Sequence, residues 1–318
     1  MHKLGNKFSS ANSSSSASAN FKLEPEFKFL CYWLFQIRQM QKKDTDTPFI
    51  DFGGQGAIIH FAHANGFPPE AYKQLLRPFT NHFHVIGMLQ RPLWKNSNPK
   101  KFKTWHTLAD DLISFLDARG LKNIIGMGHS MGGVASILAA TKRPDLFSKL
   151  ILIDPVVVKW SIKGLVYLLP LGMRKNNVPI AKISSKRKNN WSDKQTVFNS
   201  FRNKRVFSRF SDEALRDLVE ASIVQKEDGK VWLRYSREWE TQIYITAPFS
   251  FNLVKKLKMP IIAIKGESSN VITQDLWKEW QEAQAQNDFL EYPNSGHLVP
   301  MEYPQEIASW ILKKLETP

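Results

Sequence analysis

The sequence NIIGMGHSMGG, residues 123–133, decides the fold. It contains a short apolar run, a G-x-S-x-G motif centred on Ser130, and the start of the Ala-rich segment Val134–Thr141. When this motif joins a strand to a helix, the turn exposes the serine hydroxyl above the carboxyl edge of the sheet. The backbone N–H of Met131 then points to the space that an oxyanion would occupy. A phosphate-binding turn or a plain strand–helix loop is the alternative interpretation. The pattern favours Ser130 as a nucleophile.

A serine hydroxyl is a weak nucleophile unless a neighbouring base accepts its proton. The sequence PNSGHL, residues 293–298, places His297 after a strand predicted at Asp288–Tyr292 and before a helix predicted at Pro304–Leu315. A loop in this position projects over the same edge of the sheet as Ser130. Of the eight histidines, His297 alone has the position and chain order expected of the base, although a loop histidine can also be a solvated side chain.

Short apolar runs alternate with amphipathic segments from residue 49 onward, which predicts a doubly wound, mostly parallel α/β sheet. Continuous apolar runs are typical of strands that are buried on both faces. The predicted strands are Ala57–Ala62, Phe83–Met88, Asn123–Met127, Leu150–Ile153, Pro260–Ile264 and Asp288–Tyr292. The predicted helices are Thr107–Arg119, which ends at a Gly120 cap, together with Val134–Thr141, Asp212–Val224 and Pro304–Leu315.

The alternation stops after Pro155 and returns at Met259, and the charge changes at the same points. Residues 155–258 carry 21 basic and 9 acidic side chains, a net charge of +12, whereas residues 259–318 carry 4 and 9, a net charge of −5. We therefore predict a core formed by residues 49–154 and 259–318, interrupted by a basic, mostly helical cap at residues 155–258. Residues 1–48 are predicted to be a disordered or weakly ordered extension.

Composition excludes several classes of protein. The chain has 318 residues and 42% apolar side chains, which predicts a soluble globular protein and not a fibrous or disordered one. Cys31 is the single cysteine, so neither an intrachain disulfide nor a Cys-rich zinc module is possible. The apolar run Phe29–Phe35 is too short to span a bilayer. We expect a cytoplasmic protein, or an organellar one if the Ser-rich residues 1–23 are a transit peptide.

These motifs resemble those of the α/β-hydrolase fold family. GHSMGG resembles the nucleophile elbow of that family, SGHLVPMEYP its C-terminal histidine loop, and HFAHANGFP (residues 60–68) its oxyanion loop. The resemblance implies the fold with a helical cap, a serine nucleophile and no cofactor or metal. It also implies Met131 and Asn65 as backbone donors to the oxyanion, although Ala64 replaces the usual glycine, and a plain Asn65-Gly66 turn is the alternative. The sequence QRPLW, residues 90–94, departs from the family and indicates a reshaped loop.

The third catalytic residue is not settled by the sequence. The family commonly has an aspartate after the strand that corresponds to PIIAI, but this chain has Asn270 there. An amide can hold a histidine but does not stabilise imidazolium, and such an exchange lowers turnover by about four orders of magnitude in a serine protease. Asp154, at the end of the preceding predicted strand, is the first alternative. Glu267, three residues before Asn270, is the second, and Asn270 itself in a slow enzyme is the third. An Asp-Pro turn without a catalytic role, or a relative without activity, also remains open.

The leading functional hypothesis is a cofactor-free serine hydrolase that cleaves an ester or thioester of a small-molecule acyl substrate. C–C bond hydrolysis on the same scaffold is one alternative. A weakly active or non-catalytic protein that binds nucleic acid or an anionic membrane through its basic cap is another, but no nucleic-acid signature is present. The first interpretation of the basic residues in the predicted cap is a solvated face, and the second is a surface that attracts anionic substrates.

Overall fold

The computed structural model of the protein describes residues 47–158 and 168–316. The predictions for residues 1–46 lie outside the described residues. A seven-stranded sheet forms the centre. Its strands are β1 (Phe49–Gly53), β2 (Ile58–Ala62), β3 (His84–Met88), β4 (Ile124–His129), β5 (Phe147–Ile153), β9 (Ile261–Gly266) and β10 (Asp288–Tyr292). The strand order is β1-β3-β2-β4-β5-β9-β10. Within this sheet, only β1 is antiparallel to its neighbour; the other six strands are parallel.

The sheet confirms the predicted fold class and contains all six predicted strands, with ends shifted by at most three residues. Strands β2, β3, β4 and β9 are buried along their whole length, as their continuous apolar runs predict. Strand β1 is not among the predicted strands. This edge strand is only partly buried and carries a β-bulge between Asp51 and Gly53, so its sequence, FIDFG, lacks the apolar run of a central strand.

Helices cover both faces of the sheet. The helix predicted at Thr107–Arg119 ends where expected: Gly120 has φ +65°, and the N–H of Leu121 donates to the Leu116 carbonyl at 3.0 Å. This is the Schellman arrangement that glycine favours after a helix. The helices of the core are α1 (Lys73–Leu76), α2 (His106–Ala118), α3 (Met131–Lys142), α10 (Gln274–Ala283), α11 (Val299–Glu302) and α12 (Pro304–Glu316).

Between β5 and β9 lies the segment that we call the insertion (residues 155–258). Its described part contains six helices: α4 (Leu171–Asn177), α5 (Pro179–Lys186), α6 (Lys194–Arg202), α7 (Asp212–Ser222), α8 (Arg237–Ile245) and α9 (Phe251–Val254). It also contains a three-stranded antiparallel sheet in the order β6-β8-β7, formed by β6 (Asn190–Trp191), β7 (Ile223–Gln225) and β8 (Val231–Leu233). The sequence does not predict this sheet, because strands of two or three residues carry no periodic pattern. The predicted helix Asp212–Val224 therefore ends earlier, at Ser222, where β7 begins.

The insertion packs onto the core at several points. Helix α8 contributes Trp239 and Ile243 to the same apolar cluster as the core helix α2, and the Trp105 indole N–H donates to the Ile243 carbonyl at 3.0 Å. The Gln242 side chain donates to the Phe102 carbonyl at 2.6 Å. On the other face of the sheet, α7 packs against the turn Pro69–Tyr72. In the described part of the chain, no helix is long and apolar enough to cross a membrane.

Candidate active site

Ser130 lies on a strained turn between β4 and α3. Its φ of 55° and ψ of −116° put a non-glycine residue in a rarely occupied backbone region, which is typical of functional sites. The Ser130 N–H donates to the Ile153 carbonyl at 3.0 Å, which joins the turn to β5. A Cβ on Gly132 would lie only 2.0 Å from the Ala62 carbonyl oxygen, so the turn needs glycine there to pack against the end of β2.

His297 contacts the serine directly. Its Nε2 lies 2.9 Å from Ser130 Oγ, within hydrogen-bonding distance. His297 lies five residues after the end of β10, and the Gly296 N–H donates to the Glu302 carboxylate at 2.7 Å. The chain therefore brings together two residues that are 167 positions apart, in the arrangement that a nucleophile and its base require.

Asp154 lies on the other side of the imidazole. Its Oδ1 is 3.4 Å from His297 Nδ1, and its side chain has no exposed surface. This separation is compatible with an ion pair but exceeds the 2.7–2.9 Å or so of a short charge-assisted hydrogen bond. Two donors hold the carboxylate: the Gly266 N–H at 3.0 Å from Oδ2 and the Ser269 hydroxyl at 2.9 Å from Oδ1. Among the described residues, His297 Nδ1 has no hydrogen-bond partner, and Asp154 is the acid that faces it.

The two other positions considered for the acid do not hold the imidazole. Glu267 is exposed, and its carboxylate accepts the Asn294 N–H at 2.7 Å, which fixes the turn after β10. Asn270 is exposed at the edge of the cavity above Ser130. Neither side chain forms a hydrogen bond with the His297 ring. The catalytic role of Asp154 stays a prediction, with this geometry in its favour.

The two predicted oxyanion donors line the same cavity as Ser130. Met131 is the first residue of α3, where the helix dipole and the unpaired N–H groups favour negative charge. The Asn65 side chain donates to the Glu240 carbonyl at 3.1 Å, which fixes the oxyanion loop against α8. Neither the Met131 N–H nor the Asn65 N–H donates to a group in the described residues, so both are available to a ligand.

Sequence reasoning missed a chain of buried hydrogen bonds that joins the oxyanion loop to the histidine loop. The Ala64 N–H donates to the Tyr72 hydroxyl at 3.3 Å, and this hydroxyl donates to His129 Nδ1 at 2.8 Å. His129 Nε2 in turn donates to the His297 carbonyl at 2.9 Å; the tautomer follows because a carbonyl only accepts. Burial first, and the nearby His297 second, lower the pKa of His129 well below its usual value. The position of His129 within the elbow was the available sequence signal.

The reshaped loop after β3 supports the oxyanion loop. The Gln90 backbone N–H donates to His63 Nε2 at 3.1 Å, and its side-chain amide donates to the His63 carbonyl at 2.5 Å. His63 Nδ1 donates to the Ala64 carbonyl at 2.9 Å. Burial lowers the pKa of His63 to about 4, so this histidine is neutral near pH 7. Gln90 therefore gives the sequence QRPLW a structural role.

Two cavities meet at the site. The smaller one, about 470 Å³, lies above Ser130 and has largely apolar walls that include Trp105, Val156 and Ile243. The larger one, about 830 Å³, lies beside His297 and is lined by the basic side chains of the insertion. Within the described residues, no group of three or more His, Cys, Asp and Glu side chains is placed to hold a metal ion.

Comparisons with known proteins agree with this architecture. The uncharacterized hydrolase YugF of Bacillus subtilis is 23% identical over 280 residues, which cover 83% of this chain and 97% of that protein. The crystal structure of E-2-(acetamidomethylene)succinate hydrolase superposes with a TM-score of 0.68 at 17% identity, covering 85% of this chain and 94% of the other. A thermophilic esterase from Thermogutta terrifontis superposes with a TM-score of 0.63 at 20% identity, covering 84% and 92%. At these identities the two structures show the fold alone.

The family comparison covers most of the chain. Residues 61–310 match the sequence model of the alpha/beta hydrolase family, a range that includes the oxyanion loop, the elbow, the insertion and the histidine loop. The protein therefore belongs to the alpha/beta hydrolase family.

Proposed function

We propose that the protein is a serine hydrolase that cleaves an ester or thioester through an acyl-enzyme intermediate. The observation that carries this proposal is the 2.9 Å separation between Ser130 Oγ and His297 Nε2 on a strained turn. A hydroxyl at this distance from a neutral imidazole nitrogen is oriented to lose its proton as it attacks a carbonyl carbon.

In the first half of the reaction, Ser130 Oγ attacks the substrate carbonyl and His297 Nε2 takes the hydroxyl proton. The negative charge that develops on the carbonyl oxygen is stabilised by the N–H groups of Met131 and Asn65, aided by the N-terminus of α3. When the tetrahedral intermediate collapses, the bond to the alcohol or thiol breaks. The proton on His297 passes to that leaving group, and the acyl group remains on Ser130.

In the second half, water attacks the acyl-enzyme. His297 accepts a proton from the water as its oxygen bonds to the acyl carbon, and the same two N–H groups stabilise the second oxyanion. Collapse releases the carboxylic acid and returns the proton from His297 to Ser130 Oγ. The apolar walls of the smaller cavity suit the acyl portion of the substrate.

Asp154 acts on the imidazole in this mechanism. While His297 carries two protons, the buried carboxylate at 3.4 Å from Nδ1 stabilises its positive charge. The donors from Gly266 and Ser269 hold the carboxylate in place, so no reorganisation of this group is needed during the reaction.

A serine-directed fluorophosphonate tests the proposal. We expect stoichiometric labelling of the protein at Ser130, found by peptide mass spectrometry, and a burst of 4-nitrophenol from 4-nitrophenyl acetate. Ser130→Ala should abolish both signals. Ser136→Ala is the matched control, because Ser136 lies in α3 and its buried hydroxyl has no hydrogen-bond partner in the described residues. A folded wild-type protein that is neither labelled nor active would overturn the proposal and favour a binding protein.

A further inference from the structure

The two cavities meet at His297, so each can hold a different part of a substrate. They share Phe67, Ile180, Tyr244, Asn270 and His297 in their walls, so His297 lies where they meet. The smaller cavity alone contains Ser130 and the two oxyanion donors. The larger cavity continues along the histidine loop through Gly296. Because His297 gives its proton to the leaving group, that group lies on the imidazole side of the reacting carbon. The leaving group therefore extends into the larger cavity.

The larger cavity is unusually basic. Arg187, Lys204, Arg205 and Arg209 line it, against the two carboxylates of Glu240 and Glu302. Both carboxylates are already bound: Glu240 pairs with Arg187, and Glu302 accepts the Gly296 N–H.

In the described part of the chain, Lys204, Arg205 and Arg209 have no ion-pair partner. Glu302 acts on Arg209, and Glu240 acts on Lys204, only at longer range, so the four cations and two carboxylates that line the cavity leave it a formal net charge of +2.

Two of the guanidinium groups lie next to the proposed catalytic loops. Arg209 Nη1 is 3.5 Å from the point where a Cβ on Gly296 would lie, directly before His297, and a Glu302 carboxylate oxygen is 3.1 Å from the same point. Arg187 Nη1 is 3.9 Å from the corresponding point on Gly66, directly after Asn65, and a carboxylate oxygen of its ion-pair partner Glu240 is 3.8 Å from it. The cations therefore lie in the wall of the cavity beside the two loops, although Lys204, Arg205 and Arg209 are also exposed to solvent.

The positive groups also affect one another. Partial burial first, and the nearby Arg187 second, lower the pKa of Lys204, although part of this side chain is exposed to solvent. A cation that is held near other cations gains from a bound anion, because opposite charge at short range favours its charged form.

We propose that the larger cavity is an anion-binding subsite for the leaving group, and that the substrate is an ester or thioester whose alcohol or thiol part carries a phosphate or carboxylate. This inference rests on the proposed function. In the reaction, the acyl–oxygen or acyl–sulfur bond breaks and His297 protonates the departing atom. The anionic group of the alcohol or thiol stays bound to Lys204, Arg205 and Arg209 until release.

Three butyrate esters with different phenol leaving groups test the subsite: 4-acetylphenyl, 4-carboxyphenyl and 4-phosphonooxyphenyl butyrate. The measured quantity is the ratio of kcat/KM for each anionic ester to that for the neutral ester. In the variant Lys204→Ala/Arg205→Ala/Arg209→Ala, we expect this ratio to fall by roughly tenfold or more. In the wild type, we expect about 0.5 M NaCl to lower the same ratio, because salt at that concentration screens such charges. Intrinsic reactivities cancel because the same esters are compared in two proteins. The phosphate and carboxylate esters distinguish the two kinds of anion.

A matched control removes the same charge elsewhere. Lys122, Lys256 and Lys258 are exposed residues just before β4 and β9, at the opposite edge of the sheet from Ser130. Their triple alanine variant should change the ratio by less than about twofold. If the subsite variant does not fold, the two substitutions Lys204→Gln and Arg205→Gln replace it. An unchanged ratio in the folded variant, or an equal fall in the control, would overturn the inference.

A binding measurement separates this inference from the proposed function. Calorimetry of 4-hydroxyphenyl phosphate and 4-hydroxybenzoate with Ser130→Ala does not need turnover. If the three subsite substitutions abolish this binding and the wild-type protein cleaves none of the esters, the subsite is supported and the hydrolase proposal is removed. Ester cleavage without anion preference or anion binding would remove the subsite and leave the hydrolase proposal intact.

Discussion

His297 Nδ1 and Asp154 Oδ1 face each other at 3.4 Å, and the Asp154 side chain is fully buried. We predict that Asp154→Asn lowers kcat/KM by roughly 10³–10⁴-fold, because an amide does not stabilise the imidazolium. Asn270→Ala should lower it by less than about tenfold, since this amide does not bind the ring. Steady-state kinetics on an activated ester measures both. Glu267→Gln is the control on the same loop, and the reverse order for Asp154 and Asn270 would contradict the prediction.

Ser269 should act through Asp154, because its hydroxyl donates to the carboxylate oxygen that faces His297. We expect Ser269→Ala to lower kcat by roughly tenfold, the loss of about 1.4 kcal/mol of positioning, with little change in KM. Ser269→Thr keeps the hydroxyl and should restore most of the activity. Equal values of kcat for the alanine and threonine variants would contradict a role for this hydrogen bond.

Tyr72 connects the oxyanion loop to His129. Tyr72→Phe leaves two buried polar atoms unpaired, the Ala64 N–H and His129 Nδ1, so we expect the free energy of unfolding to fall by about 1–3 kcal/mol. Urea unfolding measures this change. Tyr235→Phe is the matched control, because the Tyr235 hydroxyl is similarly buried, but its contact with the Gly66 backbone does not have hydrogen-bond geometry. Similar losses in the two variants would show that the connection adds no stability.

Gly132 is the glycine that the elbow needs most. A Cβ there would overlap the backbone of Ala62 at 2.0 Å, so we expect Gly132→Ala to abolish labelling of Ser130 and to reduce stability by roughly 1–3 kcal/mol. Gly172→Ala is the control: it meets nothing within 4 Å, lies in α4, and should raise stability by about 0.5–1 kcal/mol. Thermal unfolding and labelling stoichiometry test both, and normal labelling of Gly132→Ala would contradict the prediction.

Three buried histidines should make the protein less stable in mild acid. Burial lowers the pKa of His60 to about 3, that of His63 to about 4, and that of His129 well below its usual value. Below an unfolded-state pKa of about 6.5, the unfolded chain binds protons that the folded chain does not. The free energy of unfolding should therefore fall as the pH decreases from about 6.5 to 4, by up to about 1.4 kcal/mol per pH unit for each histidine.

Urea unfolding between pH 8 and pH 5 checks this pH dependence. In His63→Gln, the slope of the free energy of unfolding against pH should correspond to about one proton fewer than in the wild type. Comparison of the two proteins at pH 8 gives the part of the stability change that does not depend on protonation. An unchanged slope would contradict the assignment of this proton to His63.

Much of the fold follows from local sequence. The apolar runs of β2, β4 and β9 predict buried parallel strands, and GHSMGG between a strand and an Ala-rich helix predicts the elbow. Strands β1, β6, β7 and β8 were missed because they are short or half-buried. Such strands form only when a distant partner supplies their hydrogen bonds, and no local pattern records that partner.

The sequence likewise predicts only part of the candidate site. Ser130 and His297 each lie in a local motif, but the partners that fix them are far away in the chain. Tyr72 meets His129 across 57 residues, and Ser269 meets Asp154 across 115. The choice between Asp154, Glu267 and Asn270 depends on which side chain reaches the imidazole, and this depends on how β5, β9 and β10 align at their carboxyl ends.

Helix α8 is attached to the core by buried donors, Asn65 and Trp105, whose hydrogen bonds go to the Glu240 and Ile243 carbonyls. Lifting this helix away as a flap would exchange both hydrogen bonds for hydrogen bonds to water, at a net cost of about 0.5–1.5 kcal/mol each. We therefore expect small molecules to enter through the larger cavity, which is lined by Asn270 and by residues 204–209, with this helix in place. The volume between these side chains, and not the swing of a lid, would then limit the size of the molecules that reach Ser130.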